Sequence, residues 1–422
     1  MSLCSLVALA ALWCAAAVSF AQDVTPVIHV PNPPNLLAQQ NKHYVVLVSL
    51  DGFRYDYAHE HGAPHLDEMA RDGASTPTGM LPSYPSVTFP NHYTLVTGLR
   101  PEHHGIVAME FYDPLRKESY AYNKPTNTDG TWYQGTPLWV LAEQQGMRSA
   151  CFFWPGSEAA IDGVRPSFYL HFDESIGDET RIDQVIAWLK LPAEQRPHFI
   201  TLYYPNTDHA GHKYGPDAPE TRDAVHQVDK MIGILRDKLK ATGLPVDLIV
   251  TADHGMIKAE MPPVVLDKFA DLSHFKAEGA LLYADNEADT ERAYEQFRAH
   301  VDPRFTAYRR ADVPRSLNYD SRISEGDPVI IANGPYAVYA HQPTRPPNVG
   351  SHGFDPQRVQ QMKAIFYAEG PDIKAGVALP TFENIDVYSF VARLLELKTP
   401  PVDGVIGPLE SALKPSGDQH SQ

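Results

Sequence analysis

The run Tyr44-Val-Val-Leu-Val-Ser-Leu50 leads directly into Asp51-Gly52. An apolar run of this length is typical of a central parallel strand that is covered on both faces. The run therefore predicts a core strand that stops at Asp51. A carboxylate at that point lies where open α/β sheets bind their ligands, just beyond the carboxyl end of a strand.

Further strand-like and helix-like segments alternate along the chain. Strands are predicted at Arg148–Trp154, His198–Tyr204 and Val246–Thr251, and helices at His65–Arg71, Pro137–Gln145, Ile182–Leu189 and Thr221–Lys240, with Thr136 as the cap of the second helix and Gly146 past its end. This alternation predicts an α/β fold, a doubly wound and mostly parallel sheet with helices on both faces. Asp208 and Asp253-His254, like Asp51, follow strand-like runs.

The alternation changes after Gly255. Short strand-like runs at 280–283, 305–309 and 327–333, with a helix over 289–301, predict a small α+β insertion. A last core strand is predicted at Ala364–Tyr367 and a closing helix at Ile385–Leu397. The predicted division is a signal peptide (1–21), an N-terminal arm (22–42), a catalytic core in two parts (43–255 and 351–400), an inserted subdomain (256–350) and a C-terminal tail (401–422).

The first residues resemble a cleaved secretory signal. An apolar run from Leu6 to Val18 is followed by Ser19-Phe20-Ala21, a small-x-small cleavage pattern. We therefore expect a periplasmic or secreted protein without a membrane anchor. Cleavage would leave Cys151 as the only cysteine, so an intramolecular disulfide is not expected, and its apolar neighbours predict a buried strand position.

The overall charge limits the classes of partner. The formal net charge is −17, with 52 acidic against 35 basic residues. Such a balance disfavours a general affinity for nucleic-acid backbones, so no stable nucleic-acid partner is expected, and it disfavours anionic membranes. It leaves room for a small phosphate ligand at a local site. The 19 histidines, several of them beside Asp and Gly, suggest metal binding.

The stretch Pro82-Ser-Tyr-Pro-Ser-Val-Thr-Phe-Pro-Asn-His-Tyr93 carries the candidate nucleophile. Pro90 is predicted to open a short helix, Asn91 to Thr97, closed by Gly98, since proline fits a first helical turn. Thr88 would then lie beside a helix N-terminus, where free N–H groups and the dipole favour an anion. A threonine hydroxyl in that field can attack phosphorus if a metal lowers its pKa.

The candidate ligands are weak signals one at a time. Each motif has an ordinary structural interpretation. Asp51-Gly52 could be a simple turn, and Asp253-His254-Gly255 could be a turn after a strand whose polar groups are all hydrogen-bonded. His352 could be a histidine in a loop without a function. Asp208 and His212 have the i, i+4 spacing of paired ligands, but Gly211 and Gly215-Pro216 predict a loop there. Together, three aspartates, three histidines and Thr88 suit two zinc ions bound by nitrogen and oxygen ligands.

Longer motifs give a family resemblance. The blocks are Leu50–Arg54, Pro85–Tyr93, Val96–Gly98, Pro101–Ile106, Tyr112–Pro114, Trp132-Tyr133, Phe153–Ser157, Asp208–Pro216, Thr251–Met256 and Ser351–Gly353. In this order they resemble the nucleotide pyrophosphatase/phosphodiesterase family of the alkaline phosphatase superfamily, over about Lys42 to Leu397. The resemblance implies an alkaline phosphatase-like fold and a two-zinc phosphodiesterase.

The resemblance also implies roles for individual residues. Thr88 would be the nucleophile that becomes phosphorylated. One zinc would be held by Asp208, His212 and His352, and the other by Asp51, Asp253, His254 and the Thr88 oxygen. Two metals can stabilise the attacking and the leaving oxygen of an in-line displacement.

One position departs from the family pattern. After the His-Gly-Ile block the family usually has an asparagine, and that asparagine holds a non-bridging phosphate oxygen. This chain has Met109 at the position. Methionine donates no hydrogen bond. Either the backbone amide near Thr88 and the two zinc ions suffice, or a neighbour such as Lys124 compensates.

The remaining predicted pocket residues are aromatic. Phe89 and Phe172 match positions where nucleotide-cleaving relatives stack a base, and Trp154 and Tyr203 are assigned to the same pocket. The alternative interpretation of these rings is core packing. A choline- or glycerol-type head-group diester would instead need an aromatic cage or an acidic pocket, and Tyr and Trp residues are available for one.

The sequence thus predicts a phosphodiesterase that cleaves nucleotide pyrophosphates and phosphodiesters to a nucleoside 5′-monophosphate. The alternative is the same mechanism acting on phospholipid head-group diesters. A monoesterase is disfavoured, because no Arg or Lys pair stands out in the sequence to bind the extra phosphate charge. The remote alternative is a zinc-binding extracellular protein without catalysis, which the intact Thr88 and six intact ligands argue against.

Overall fold

A computed structural model describes residues 26–415, so the predicted signal peptide and the last seven residues lie outside it. Within this range the α-helices are α1 (Pro64–Asp72), α2 (Thr88–Thr97), α3 (Pro101–His104), α4 (Leu138–Gln144), α5 (Asp178–Leu189), α6 (Asn206–Tyr214), α7 (Pro219–Ala241), α8 (Glu287–Ala299) and α9 (Asp386–Leu394). None of these described helices combines the length and the apolarity that crossing a bilayer requires.

The strands of the described range are β1 (Ile28–His29), β2 (Tyr44–Leu50), β3 (Ala74–Ser75), β4 (Glu110–Asp113), β5 (Glu118–Ala121), β6 (Ser149–Phe152), β7 (Phe168–Tyr169), β8 (Phe199–Tyr204), β9 (Val246–Thr251), β10 (Ile257–Lys258), β11 (Glu260–Val265), β12 (Phe275–Glu278), β13 (Leu281–Ala284), β14 (Phe305–Tyr308), β15 (Val329–Ala332), β16 (Tyr336–Tyr339), β17 (Gly350–Ser351), β18 (Phe366–Glu369) and β19 (Val377–Ala378).

Nine of these strands form one sheet in the order β1-β7-β6-β8-β2-β9-β18-β3-β19. The centre is parallel: β2 pairs with β8 on one side and with β9 on the other, and β6 pairs with β8 and β7. Strand β18 runs antiparallel between β9 and β3, and β1 is antiparallel at the edge. Every residue of β2 and of β8 is buried, so helices cover both faces. The predicted α/β class and mostly parallel sheet are confirmed.

The helix that carries Thr88 begins earlier than predicted. It starts at Thr88 rather than after Pro90, which lies inside the first turn. Proline is tolerated there because the first N–H groups of a helix have no intrahelical acceptor. The first backbone hydrogen bond of this helix runs from the Asn91 N–H to the Val87 carbonyl oxygen, over 3.2 Å. Thr88 therefore belongs to the helix and does not merely adjoin it.

The segment with Asp208 and His212 is a helix, α6, and the predicted loop was wrong. Gly211 is accommodated because it packs against Met256, where a Cβ would come within 3.1 Å of that side chain. Gly215 ends the helix with a φ of +96°, a value that favours glycine. Elsewhere the predicted bounds shift by a few residues, and Pro137 caps α4 instead of opening it.

The segment after β10 has an apolar cluster of its own. Side chains from β11, β13, α8 and β14, such as Val264, Leu282, Phe297 and Phe305, pack together away from the main core. Other residues of the same segment, including Leu317 and Tyr319, join the main core instead. The two regions are thus in contact, and the predicted domain boundaries stay a prediction.

Candidate active site and metal centre

The central parallel strands bring the predicted ligands to one edge of the sheet. Strands β8, β2 and β9 are neighbours that point the same way, so the residues after their carboxyl ends meet. Asp51 follows β2, Asp208 follows β8 within α6, and Asp253 follows β9. Gly52 makes the approach possible: a Cβ there would lie 2.9 Å from the Asp208 Cα, and its φ is +67°.

Asp208, His212 and His352 form a first cluster. The two imidazole Nε2 atoms of the histidines lie 3.0 Å apart. The Asp208 Oδ1 lies 3.4 Å from the His212 Nε2 and 3.7 Å from the His352 Nε2. Three ligand atoms of this kind, all within 4.8 Å of one another, could hold one metal ion.

Asp51, Asp253 and His254 form a second cluster beside Thr88. The His254 Nε2 lies 3.0 Å from the Asp253 Oδ2, 3.7 Å from the Asp51 Oδ1 and 3.3 Å from the Thr88 Oγ1. The rings of His254 and His352 stack at a centroid distance of 3.7 Å, which joins the two clusters. All of the residues predicted to bind metal are therefore together.

The three histidines present the same nitrogen to the centre. Their Nδ1 atoms lie 2.9–3.0 Å from backbone carbonyl oxygens: that of Gly350 for His212, that of Ser86 for His352 and that of Gly255 for His254. An imidazole that donates Nδ1–H to a carbonyl keeps a lone pair on Nε2, as in metal-binding histidines. Two such lone pairs at 3.0 Å repel each other unless a cation lies between them.

The carboxylates point to the same conclusion. Asp51 Oδ1, Asp208 Oδ1 and Asp253 Oδ2 are buried and receive no hydrogen bond from the described residues. Burial, and then the charges of Asp253 and Asp208, raise the pKa of Asp51 well above its usual range. Burial would also raise the pKa of Asp253, but His254 and His92 hold it well below its usual range. Divalent cations would compensate these lone pairs and charges. The residues fit two metal ions.

His92 was not predicted as a site residue. It is fully buried, and its Nδ1 lies 2.9 Å from the Thr88 carbonyl and 3.3 Å from the Asp253 Oδ2, while its Nε2 bonds the Ser49 hydroxyl at 2.8 Å. Both nitrogens have partners in the protein, so His254 is the better ligand. His92 instead holds the first turn of α2 against Asp253. Its i, i+4 spacing from Thr88 was the available signal.

Met109 occupies the position beside the nucleophile. Its Sδ lies 3.3 Å from the backbone N of Phe89 and takes the hydrogen bond of that amide. The Lys124 side chain is exposed, and within residues 26–415 it has no hydrogen bond or ion pair with the site. In the described part of the chain, Lys124 therefore does not replace a missing amide donor at position 109.

The predicted aromatic residues divide into two kinds. The ring of Phe89 lies 5.6 Å from the ring of Tyr122, a partner that the sequence did not reveal. Phe172 is 49% exposed and packs between the rings of Phe153 and Tyr203. Phe89 and Phe172 can meet a ligand. Trp154 is buried and donates its Nε1–H to the His92 carbonyl, 3.0 Å. Tyr203 is also buried.

Tyr203 holds Asp51, one of the predicted metal-binding residues, in place. Its hydroxyl donates to the Asp51 Oδ2 at 2.5 Å and leaves Oδ1 for a metal. We expect Tyr203→Phe to weaken zinc affinity about 10- to 100-fold, as losses of outer-shell partners do. The measurement is zinc competition against a chromophoric chelator.

Tyr204→Phe is the matched control. The Tyr204 hydroxyl lies on the opposite face of β8 and donates to the Asp178 carbonyl, 3.2 Å. We expect that variant to keep the wild-type zinc affinity. Equal affinities for both variants would contradict the role assigned to Tyr203.

Comparisons with known proteins show which family this chain resembles. The family model described as type I phosphodiesterase / nucleotide pyrophosphatase matches residues 45–355. Human ectonucleotide pyrophosphatase/phosphodiesterase family member 1 is 36% identical over 387 residues, 87% of this chain and 42% of that protein. The venom phosphodiesterase of Macrovipera lebetinus is 34% identical over 88% of this chain and 45% of its own length. The chain thus spans about half the length of these relatives.

Solved structures show the same fold. The structure of murine ectonucleotide pyrophosphatase/phosphodiesterase 5, an inactive variant in complex with AMP, superposes with a TM-score of 0.83 at 29% identity. The match covers 88% of this chain and 100% of that one. The human protein of the same name is 28% identical with the same TM-score. The predicted alkaline phosphatase-like architecture is confirmed.

Proposed function

The chain belongs to the type I phosphodiesterase / nucleotide pyrophosphatase family, and we propose that it hydrolyses nucleotide pyrophosphates and phosphodiesters to a nucleoside 5′-monophosphate. The reaction would need two zinc ions and would pass through a phosphothreonine at Thr88. The observation that carries this proposal is the pair of adjoining ligand clusters, with carboxylate oxygens that lack hydrogen bonds, and the Thr88 hydroxyl in contact with one of them.

Zinc is the proposed metal because of the donor set. Three imidazoles and three carboxylates favour zinc over magnesium or calcium, which prefer oxygen ligands alone. Asp208, His212 and His352 would hold one ion, and Asp51, Asp253, His254 and the Thr88 oxygen the other. When bound, the two ions supply Lewis-acid stabilisation of the charge that develops on the attacking, leaving and non-bridging oxygens.

Thr88 performs the first displacement. Its Oγ attacks phosphorus, its proton passes to solvent, and the bond from phosphorus to the leaving oxygen breaks. The nucleoside phosphate then remains esterified to Thr88. His92 holds the Thr88 carbonyl and so fixes the angle from which the hydroxyl attacks.

Water completes the cycle from the opposite side. It attacks phosphorus, forms the new P–O bond and breaks the bond to the Thr88 Oγ. The products are the free hydroxyl and the nucleoside monophosphate. In this proposal Asp208, His212 and His352 would lie on the side from which this water enters.

The substrate proposal depends on Phe89 and Phe172. Both rings flank the site and could stack a base, as a bound nucleotide requires. The murine relative was solved in complex with AMP, a nucleoside 5′-monophosphate. We further propose that the protein acts in the periplasm or outside the cell, on a small-molecule substrate.

The test is turnover by purified, zinc-loaded protein. We expect thymidine 5′-monophosphate p-nitrophenyl ester to be preferred over p-nitrophenyl phosphorylcholine by about 10- to 100-fold, the value of stacking one base. Preference for the choline ester would move the assignment to lipid head groups. Preference for p-nitrophenyl phosphate, a monoester, would reject the diesterase proposal.

A further inference from the structure

A cavity of about 380 Å³ opens beside the candidate active site. Its walls come from the loop before Thr88, from β4 and from the inserted segment, including the turn between β12 and β13 and the strand β16. A cavity of this size can hold a ring-bearing substituent of a ligand. The inserted segment would then form one wall of a substrate subsite.

The cavity adjoins the first ligand cluster through His352. Its lining extends from Val87 and Met109 beside the nucleophile to His352 and the adjoining Ser351 and Gly353. It includes none of the rings of Phe89, Trp154, Phe172 or Tyr203. His352 belongs to the first cluster, whereas the Thr88 hydroxyl contacts His254 of the second cluster at 3.3 Å. An in-line displacement expels its leaving oxygen directly away from the nucleophile, and so toward the first cluster.

The charges of the lining limit what can enter. The described residues that line the cavity include Glu110 and Glu278, several tyrosines and apolar side chains, but no lysine or arginine. Glu278 accepts a hydrogen bond from Ser119 and has Lys276 at 3.7 Å. Glu110 has no ion-pair partner among the described residues. Beyond the proposed zinc at His352, a pyrophosphate leaving group would therefore meet a carboxylate and no lysine or arginine among the described lining residues.

We propose that this cavity is the leaving-group subsite and that it selects a leaving group with an aromatic ring and no negative charge. The inference rests on the proposed function, since it assumes cleavage of a nucleotide diester bond. The ring of Tyr84 would contact such a leaving group, and Glu110 would repel a pyrophosphate. The preferred substrates are then diesters of a nucleotide with an aromatic alcohol or a second nucleoside, ahead of nucleoside triphosphates.

The test compares two substrates that transfer the same nucleotide. Thymidine 5′-monophosphate p-nitrophenyl ester and thymidine 5′-triphosphate differ only in the leaving group. We measure the ratio of their kcat/KM values, because intrinsic reactivity cancels when ratios are compared between variants. For Glu110→Lys we expect the ratio to shift toward the triphosphate by about tenfold, because repulsion becomes attraction.

Glu295→Lys is the control. This carboxylate lies on α8 in the same inserted segment, is 56% exposed and does not line the cavity. The substitution changes the net charge equally and should leave the ratio unchanged. If Glu110→Lys fails to fold, Glu110→Gln carries the test with a shift of about two- to threefold in the same direction.

The ratios separate the two proposals. An unchanged ratio in the Glu110 variants, or an equal shift in Glu295→Lys, would overturn the leaving-group subsite. Hydrolysis of neither substrate by the zinc-loaded wild type would instead reject the proposed function. A shift confined to the Glu110 variants supports the inference.

Discussion

Thr88→Ala is expected to reduce kcat/KM for thymidine 5′-monophosphate p-nitrophenyl ester by about 10⁴-fold or more, the scale seen when a catalytic nucleophile is removed. The hydroxyl lies in the first turn of α2, 3.3 Å from the His254 Nε2, and no other hydroxyl is predicted to replace it. The measurement is steady-state kinetics together with zinc content by mass spectrometry. We expect two zinc ions per chain in the variant as in the wild type, because six protein ligands remain.

Thr88→Ser is the matched control for this substitution. Serine keeps the hydroxyl and loses one methyl group, so we expect most of the activity to remain, within about tenfold. Retained turnover in Thr88→Ala would contradict the nucleophile assignment. Full zinc content with no turnover in any of the three proteins, the wild type included, would instead support the zinc-binding protein without catalysis.

Met109→Asn is expected to raise kcat/KM for the same ester by about 10²-fold, which is the usual contribution of one hydrogen-bond donor to the stabilisation of an oxyanion. Two effects add. The substitution removes the Sδ that takes the Phe89 N–H at 3.3 Å, and it supplies an amide that can donate to a non-bridging phosphate oxygen. The freed backbone N–H lies in the first turn of α2, where the helix dipole favours an anion.

Met109→Leu separates these two effects. Leucine frees the Phe89 N–H but adds no donor, so we expect a smaller gain, about threefold for one backbone hydrogen bond. If Met109→Asn lowers activity while its zinc content and unfolding temperature stay unchanged, the donor account is contradicted. In that case the thioether itself would contribute to binding the substrate.

The sheet and the ligand sets arise from local patterns that the sequence contains. The apolar run before Asp51 could only be buried on both faces, and parallel strands place the residues after their carboxyl ends at one edge. This explains why Asp51, Asp208 and Asp253 meet although they are distant in the chain. The family motifs, rather than periodicity, singled out His352.

Tertiary contacts determine the features that the sequence did not reveal. Glycine and proline near α6 favoured a loop, but packing of Gly211 on Met256 stabilises a helix that turns Asp208 and His212 to one side. The role of His92 depends on its contacts with Asp253 and Ser49, which come from other segments of the sheet. The packing of Tyr122 against Phe89 and the walls of the leaving-group cavity likewise come from segments far apart in the chain.

The stereochemical course at phosphorus tests the central claim most directly. The substrate is one diastereomer of a thymidine 5′-phosphorothioate p-nitrophenyl ester, hydrolysed in ¹⁸O-labelled water. Two successive in-line displacements, first by Thr88 and then by water, predict overall retention of configuration. Inversion would mean that water attacks the substrate directly, and it would contradict a covalent intermediate at Thr88.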